Sequence, residues 1–191
     1  YRIAIVPQPD WHGDFRDFKK LGKPRLFFAV SPGNMDSMVN KYTANKRLRS
    51  EDAYSPDGRH DCRPDYPSIV YTQILKKLFP DVPVVIGGIE ASLRRLTHFD
   101  YWQNKLRKSI LCDSGADMLL YGVGAKSILA LAEAIEQGRN IKKITEIPQT
   151  VYLSRKDTIQ GGITDQDIIL HSYEECLQNK KAHAENFKYI E

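Results

Sequence analysis

No apolar run in this chain approaches the roughly 20 residues that a membrane-spanning helix needs, so the sequence offers no span. Cysteine is scarce. Cys62, Cys112 and Cys176 stand 50 and 64 positions apart. No two of them have chelating spacing, and an odd number argues against a disulfide framework. A reducing cytoplasm is the expected setting. Strong charge of either sign is also missing. The net charge of +4 permits an anionic partner without demanding one. There is no internal repeat and no low-complexity tract. The opening stretch, YRIAIVPQPD, lacks a small-residue cleavage site behind a long apolar core, so it reads as a first strand and not as a secretory leader.

What is present fits an ordinary globular core. At 191 residues, 41% hydrophobic and 27% charged, the chain can bury one good core with extensions. It is organised around residues 82–92, VPVVIGGIEAS. The run PVVI is short, apolar and β-branched, as in a strand buried on both faces of a parallel sheet. Gly87 and Gly88 follow at once. A glycine pair there lets the backbone turn sharply and lets something approach it closely. In open α/β sheets, ligands sit outside the carboxyl ends of the strands, where the strand order reverses. The same glycines could equally make nothing more than a tight turn.

Taken in order, residues 2–6 (RIAIV) and 25–31 (RLFFAVS) read as strands, with a short helix between them at 11–21. Residues 34–39 open a helical turn. From 42 to 67 the periodicity vanishes among turn formers and charge, a long loop of the kind that is often functional. Pro67 opens a helix marked by Val70, Ile74 and Leu78, with Tyr71 and Leu75 beside them, and Pro80 ends it. Residues 89–111 look mostly helical and are rich in aromatic and basic side chains. Residues 117–121 (DMLLY) form another strand, then Gly122-Val123-Gly124 leads into a helix. Its expected apolar face is Ala125, Ile128, Leu129, Ala132 and Ile135. Residues 150–153 give a fifth strand, and Gly161-Gly162 a turn. Ser172 and Glu175 fit a capping box that opens a final helix, with Tyr173, Leu177, Ala184 and Phe187 on one side. Strands alternating with helices predict an α/β fold, a doubly wound, mostly parallel five-stranded sheet.

Several patterns could carry chemistry. The turns Gly87-Gly88 and Gly122-x-Gly124 each end a strand and precede a helix, an arrangement whose backbone N–H groups suit anions. Neither matches the dinucleotide fingerprint, since residues 122–127 read GVGAKS. Lys126-Ser127 resembles the end of a phosphate loop, but Ala125 stands where glycine is required. His60-x-Cys62 supplies two metal ligands where zinc needs at least three from the protein, so no metal site is expected. Lys41, Lys46, Arg47 and Arg49 fall together with no acid among them. Arg94, Arg95, Lys105, Arg107 and Lys108 are interleaved with Phe99, Tyr101 and Trp102. Basic groups beside aromatics suit RNA or a nucleotide, although such runs also occur as solvated helix faces.

The phrases LGKPRLFFAVSPGNMDSMVNKYTANKR, FPDVPVVIGGIEASLRRLTHFDYW and LRKSILCDSGADMLLYGVGAKSI closely resemble the N-terminal region of the YgiQ family of radical S-adenosylmethionine proteins. The resemblance covers nearly the whole chain. It implies a Rossmann-like, cobalamin-binding-like α/β domain over 1–155, with an insertion at about 42–67. It implies that 156–191 is a linker and helix leading to a radical S-adenosylmethionine barrel. The family's Cys-x-x-x-Cys-x-x-Cys motif for a 4Fe-4S cluster is not within these residues. Cluster and S-adenosylmethionine are therefore expected in the barrel, and the chain is not expected to be catalytic by itself. Related cobalamin enzymes carry Asp-x-His-x-x-Gly after the first strand. Here Asp10 and His12 are followed by Phe15, so cobalamin is not expected. The expected partners are the barrel and an unknown substrate, with a nucleotide or nucleic acid as the alternative, and no membrane. The residues expected to touch a ligand lie at strand carboxyl ends: Ser31, Gly33, Asn34, Gly87, Gly88, Glu90, Gly122 and Gly124.

Overall fold

The computed structural model describes residues 1–155 and 163–190, so the expected turn at Gly161-Gly162 lies outside the described residues. Among the described residues the main sheet has four strands: β1 (Phe28–Val30), β2 (Val84–Ile86), β5 (Met118–Leu120) and β6 (Thr150–Val151). They lie in the order β1-β2-β5-β6. The first three are parallel and β6 is antiparallel to β5. Every residue of β2 and β5 is buried, which is what their unbroken apolar runs require.

Period-two alternation divides those side chains between two cores. Val84, Ile86 and Leu119 face α3 (Pro67–Leu78), α4 (Gly88–Leu93) and α5 (Ile110–Ser114), packing with Tyr71, Ile74, Leu75, Ala91, Ile110 and Leu111. Phe18 of the short α1 (Arg16–Lys19) joins them. Val85, Met118 and Leu120 face α6 (Ala125–Glu136), meeting Leu131 and Ala134. Pro67 occupies the first turn of α3, where its missing N–H costs nothing.

Several of these expectations need correction. Residues 2–6 form no strand. Ile3 and Ile5 are 83% and 82% exposed, since β-propensity without a neighbouring edge to pair with leaves a segment extended and solvated. The sheet is therefore mixed and four-stranded, and its parallel strands follow one another in a single direction without reversing. Residues 89–111 are not mostly helical. Between α4 and α5 stands an antiparallel hairpin, β3 (His98–Asp100) with β4 (Lys105–Arg107). Finally, the seam of α6 is rotated: Ser127, Leu131, Ala132 and Ala134 are buried, while Ile128 and Leu129 are exposed.

The long loop is tied down at its base. Asp52, almost fully buried, accepts hydrogen bonds from Asn40 Nδ2 at 2.6 Å and the Ser55 hydroxyl at 2.8 Å, and pairs with Arg63. Lys41 at the end of α2 (Ser37–Lys41) bridges Asp61 and Asp65 at 2.8 and 2.9 Å. The capping box at Ser172 and Glu175 is present and opens α7 (Tyr173–Gln178). The expected final helix is broken at Asn179, whose side chain caps α8 (Lys180–Ile190) by accepting from Lys181 N. The two helices bury Cys176, Ala182 and Asn186, leaving Leu177 and Phe187 exposed. Asn186 closes the pair by exchanging hydrogen bonds with the His171 backbone at 2.7 and 2.9 Å.

Candidate functional site: the carboxyl edge of the parallel strands

Because β1, β2 and β5 are parallel, their carboxyl ends share one edge, and the turns after them are brought together there. Ser31, Gly33 and Asn34 follow β1 and are exposed. Gly33 N donates to the Ser31 hydroxyl at 3.3 Å, a tight local turn. Gly87 N donates to the Val30 carbonyl at 3.0 Å, continuing the ladder into the second turn. Gly88 has φ of 80°, and a Cβ there would lie 2.6 Å from Ser31 Oγ and 3.2 Å from the Gly33 carbonyl oxygen. The first turn thus rests against Gly88, in the space a side chain would fill. Gly87 differs: its backbone is extended, with φ of −160°. A Cβ there would meet the Leu120 carbonyl at 3.3 Å, which ties the second turn to the end of β5. Gly122 and Gly124 form the third turn, and Tyr121 N donates to the Gln149 carbonyl at 3.0 Å. Between those glycines Val123 is 91% exposed.

Glu90 does not face this edge. It is 1% exposed, and its Oε1 accepts from Ser68 N at 3.3 Å while Oε2 has no partner among the described residues. Burial pushes its carboxyl up to about 7, with Arg94 opposing the shift and Asp36 adding to it. Beneath the first turn, Asp36 caps α2 by accepting from Met38 N and Val39 N. Its other oxygen pairs with Arg94, buried beside it. The Arg94 guanidinium lies over the Tyr66 ring, 5.9 Å from its centroid. The Tyr66 hydroxyl donates to Asp100 at 2.8 Å. Burial and the Asp100 carboxylate both hold that phenol well above its ordinary range. Burial pushes Asp100 upward, but N–H groups of Gln103 and Trp102 and the Tyr66 hydroxyl outweigh it and hold the carboxyl down. Arg107 completes the chain by pairing with Asp113 at 2.7 Å.

Sequence reasoning missed this network. Asp36, Tyr66, Arg94 and Asp100 come from four separate segments, and the one local signal was an Asp placed to cap a helix. The network also removes Arg94 and Arg107 from the cations available to a partner.

The other motifs find ordinary places. The Ser127 hydroxyl donates to the Pro148 carbonyl at 2.7 Å, so it is a packing residue of α6. His12 is largely exposed, 3.3 Å from Asp10, and no strand precedes it. His60 Nε2 lies 3.1 Å from the Ser50 carbonyl. Among the described residues no group of three His, Cys, Asp or Glu side chains is placed to hold a metal ion. Cys62, Cys112 and Cys176 are free and differ in burial, with Cys176 under the α7–α8 pair. They do not fit an iron–sulfur cluster, which needs thiolates gathered around one centre. Among the described residues no helix is long and apolar enough to cross a membrane.

Comparison with known proteins places the chain. The family described as "Radical SAM N-terminal" matches residues 1–191. A UPF0313 protein of Bacteroides thetaiotaomicron is 60% identical over all of this chain, which covers 32% of that protein. One from Porphyromonas gingivalis is also 60% identical, over all of this chain and 30% of the relative. One from Clostridium perfringens is 50% identical over 98% of this chain and 28% of the relative. The chain thus spans about a third of the length of these curated relatives. No solved structure matches. Matched from end to end, and resembling the YgiQ proteins in long contiguous phrases, the chain belongs to the radical SAM N-terminal family.

Proposed function

We propose that this chain is the accessory, substrate-facing domain of a cytoplasmic radical S-adenosylmethionine enzyme, with 1–155 as its α/β body and 156–191 as the connection to the barrel. The 4Fe-4S cluster and S-adenosylmethionine belong to the rest of the polypeptide, where the cluster supplies the radical chemistry. The present residues bind, orient and exclude water. The observation that carries this reading is the shared edge of the three parallel strands, where Ser31, Gly33, Asn34, Gly87, Gly88, Gly122 and Gly124 meet with little side-chain cover. Backbone N–H groups and carbonyls at such an edge can approach a ligand closely. The exposed apolar side chains of Ile89 and Val123 stand beside the glycine turns, where a second body can cover them. Glu90, turned inward, supports the edge and is not a ligand-contacting group.

The test compares Val123→Cys in the full-length protein and in the 1–191 chain. Maleimide labelling is expected to be fast in the short chain and strongly slowed in the full-length one. Equal rates would show that this edge does not face the rest of the polypeptide.

A further inference from the structure

A second surface stands apart from that edge. Residues 42–48 form a tight hairpin, with Tyr42 and Leu48 bridged and Thr43 N donating to the Arg47 carbonyl at 2.8 Å. Its tip clasps the β3–β4 hairpin. The Lys46 ammonium lies 4.7 Å from the centroid of the Tyr101 ring and donates to the Trp102 carbonyl at 3.1 Å. The Tyr101 hydroxyl donates to the Ala44 carbonyl at 2.7 Å, and the Tyr42 and Trp102 rings lie 5.3 Å apart. The two basic, aromatic segments that are separate in sequence are thus one surface.

The pairing of β3 with β4 decides what this surface presents. His98, Asp100 and Arg107 lie on the inner face of the hairpin with the buried network. Phe99 and Tyr101 alternate with them and remain 52% and 51% exposed. Charge is one-sided. Residues 42–49 hold no acid, and Asp100, the carboxylate within 98–108, is 3% exposed and committed to Tyr66. Lys46, Arg47, Arg49 and Lys105 are exposed and make no ion pair among the described residues, whereas Arg94 and Arg107 are paired and largely buried and Lys108, though exposed, is paired with Glu174. Exposed aromatic faces beside unneutralised cations offer base stacking and phosphate contact together. A purely acidic protein partner would leave Phe99 without a role. A duplex would keep its bases stacked and out of reach of these rings.

We infer that the joined hairpins at 42–48 and β3–β4 bind a single-stranded nucleic acid, with Phe99 stacking on a base, Arg47 and Lys105 meeting phosphates, and Lys46 and Tyr101 holding the two hairpins together. This does not rest on the reading of the strand edge.

The test uses the full-length protein, with fluorescent oligoadenylate as RNA and as DNA, and inorganic polyphosphate as a phosphate-only competitor. Arg47→Gln is the first variant. Lys105→Gln is the second, since Lys105 is exposed and makes no ion pair among the described residues. Oligoadenylate is expected to bind with a steep salt dependence, and each charge variant to lower the log–log slope by about 0.7. Phe99→Ala is expected to weaken oligoadenylate by roughly fivefold to a hundredfold, the range of lost base stacking, with polyphosphate competition unchanged. No binding, or binding untouched by both charge variants, would overturn the inference. So would Phe99→Ala binding like the wild type, because the surface would then read charge alone. Oxidative footprinting that finds Phe99 protected in the full-length protein without nucleic acid would overturn it too, by assigning the surface to the protein's own remaining chain.

Discussion

Replacing Gly88 by alanine places a methyl group 2.6 Å from the Ser31 hydroxyl, 3.2 Å from the Gly33 carbonyl oxygen and 3.3 Å from Pro32 Cδ. Two costs add there, and they are separable. The first is conformational: at φ of 80° an L side chain is strained, by about 1–2 kcal/mol. The second is steric. The Ser31 hydroxyl can rotate away at little cost, but the Gly33 carbonyl and the Pro32 ring belong to the turn itself and must shift by a few tenths of an ångström. Alanine should therefore cost about 2–3 kcal/mol. Valine adds branched bulk at the same place and should cost about 3–5 kcal/mol once overpacking is included. That is a large part of a typical net stability of about 5–15 kcal/mol. Gly87→Ala is the internal control. Its extended backbone accepts any residue, and its one close neighbour is the Leu120 carbonyl at 3.3 Å, so its loss should stay below about 1 kcal/mol. Urea unfolding of the 1–191 chain measures all three. Adding Ser31→Gly to Gly88→Ala should recover little, because it removes only the contact that yields most easily and leaves the Gly33 carbonyl, the Pro32 ring and the positive φ in place, as a double-mutant cycle reads it. If Gly88→Ala matched Gly87→Ala, or if Ser31→Gly restored full stability, the argument from positive φ would be refuted.

Three further outcomes follow from the same geometry. Arg94→Met strands the buried Asp36 carboxylate and should cost about 3–5 kcal/mol in urea unfolding; an unchanged midpoint would mean that the pair contributes nothing. Burial pushes the Glu90 carboxyl up to about 7 in the folded chain, against an ordinary 4.5. The folded state therefore holds a proton that the unfolded chain has lost between those values, and stability should fall as pH rises through that window, by about 3 kcal/mol in all. Glu90→Gln should abolish that slope, and a slope of the same size in the variant would place the titration elsewhere. Anaerobic reconstitution of the 1–191 chain with iron and sulfide should yield no stoichiometric cluster, because its three cysteines are not gathered around one centre; a full complement of cluster iron would reverse that conclusion.

Much of the framework was legible because its signals are local. β2 and β5 are unbroken apolar runs ended by glycine, and burial on both faces is the one environment that suits them. α3 was marked by its proline and its fourfold spacing, and α7 by a reciprocal cap within four residues. Misreadings arose where the deciding partner is distant. RIAIV has the composition of a strand, but a strand exists only where another edge accepts its hydrogen bonds, and none does here. In α6 the apolar residues cover so wide an arc that periodicity fixes the helix and not its rotation; the pattern points Ile128 and Leu129 inward, whereas Leu131 and Ala134 face the sheet. At 98–107 the inward residues of the hairpin are His98, Asp100 and Arg107, all polar. An alternation rule that looks for apolar side chains inside cannot find it.

The same long-range pairs explain why the candidate site was legible only in outline. Glycine turns announce where strands end, but nothing in the sequence shows that the first turn leans on Gly88 or that Glu90 turns away. The buried ions make the difference. Asp36 lies directly after the first turn, Arg94 directly after α4, and Tyr66 just before α3, and Asp100 holds the tip of the β3–β4 hairpin. Two charge-assisted hydrogen-bonded pairs, Asp36–Arg94 and Tyr66–Asp100, joined where the Arg94 guanidinium lies over the Tyr66 ring, therefore fix both the strand edge and the base of the aromatic, basic surface. Satisfied networks of this kind hold geometry because each partner lost leaves another buried and unpaired. The two surfaces are consequently set by one scaffold. A change at Arg94 acts on both without touching either, whereas Gly88 acts on the edge alone and Phe99 on the hairpin alone.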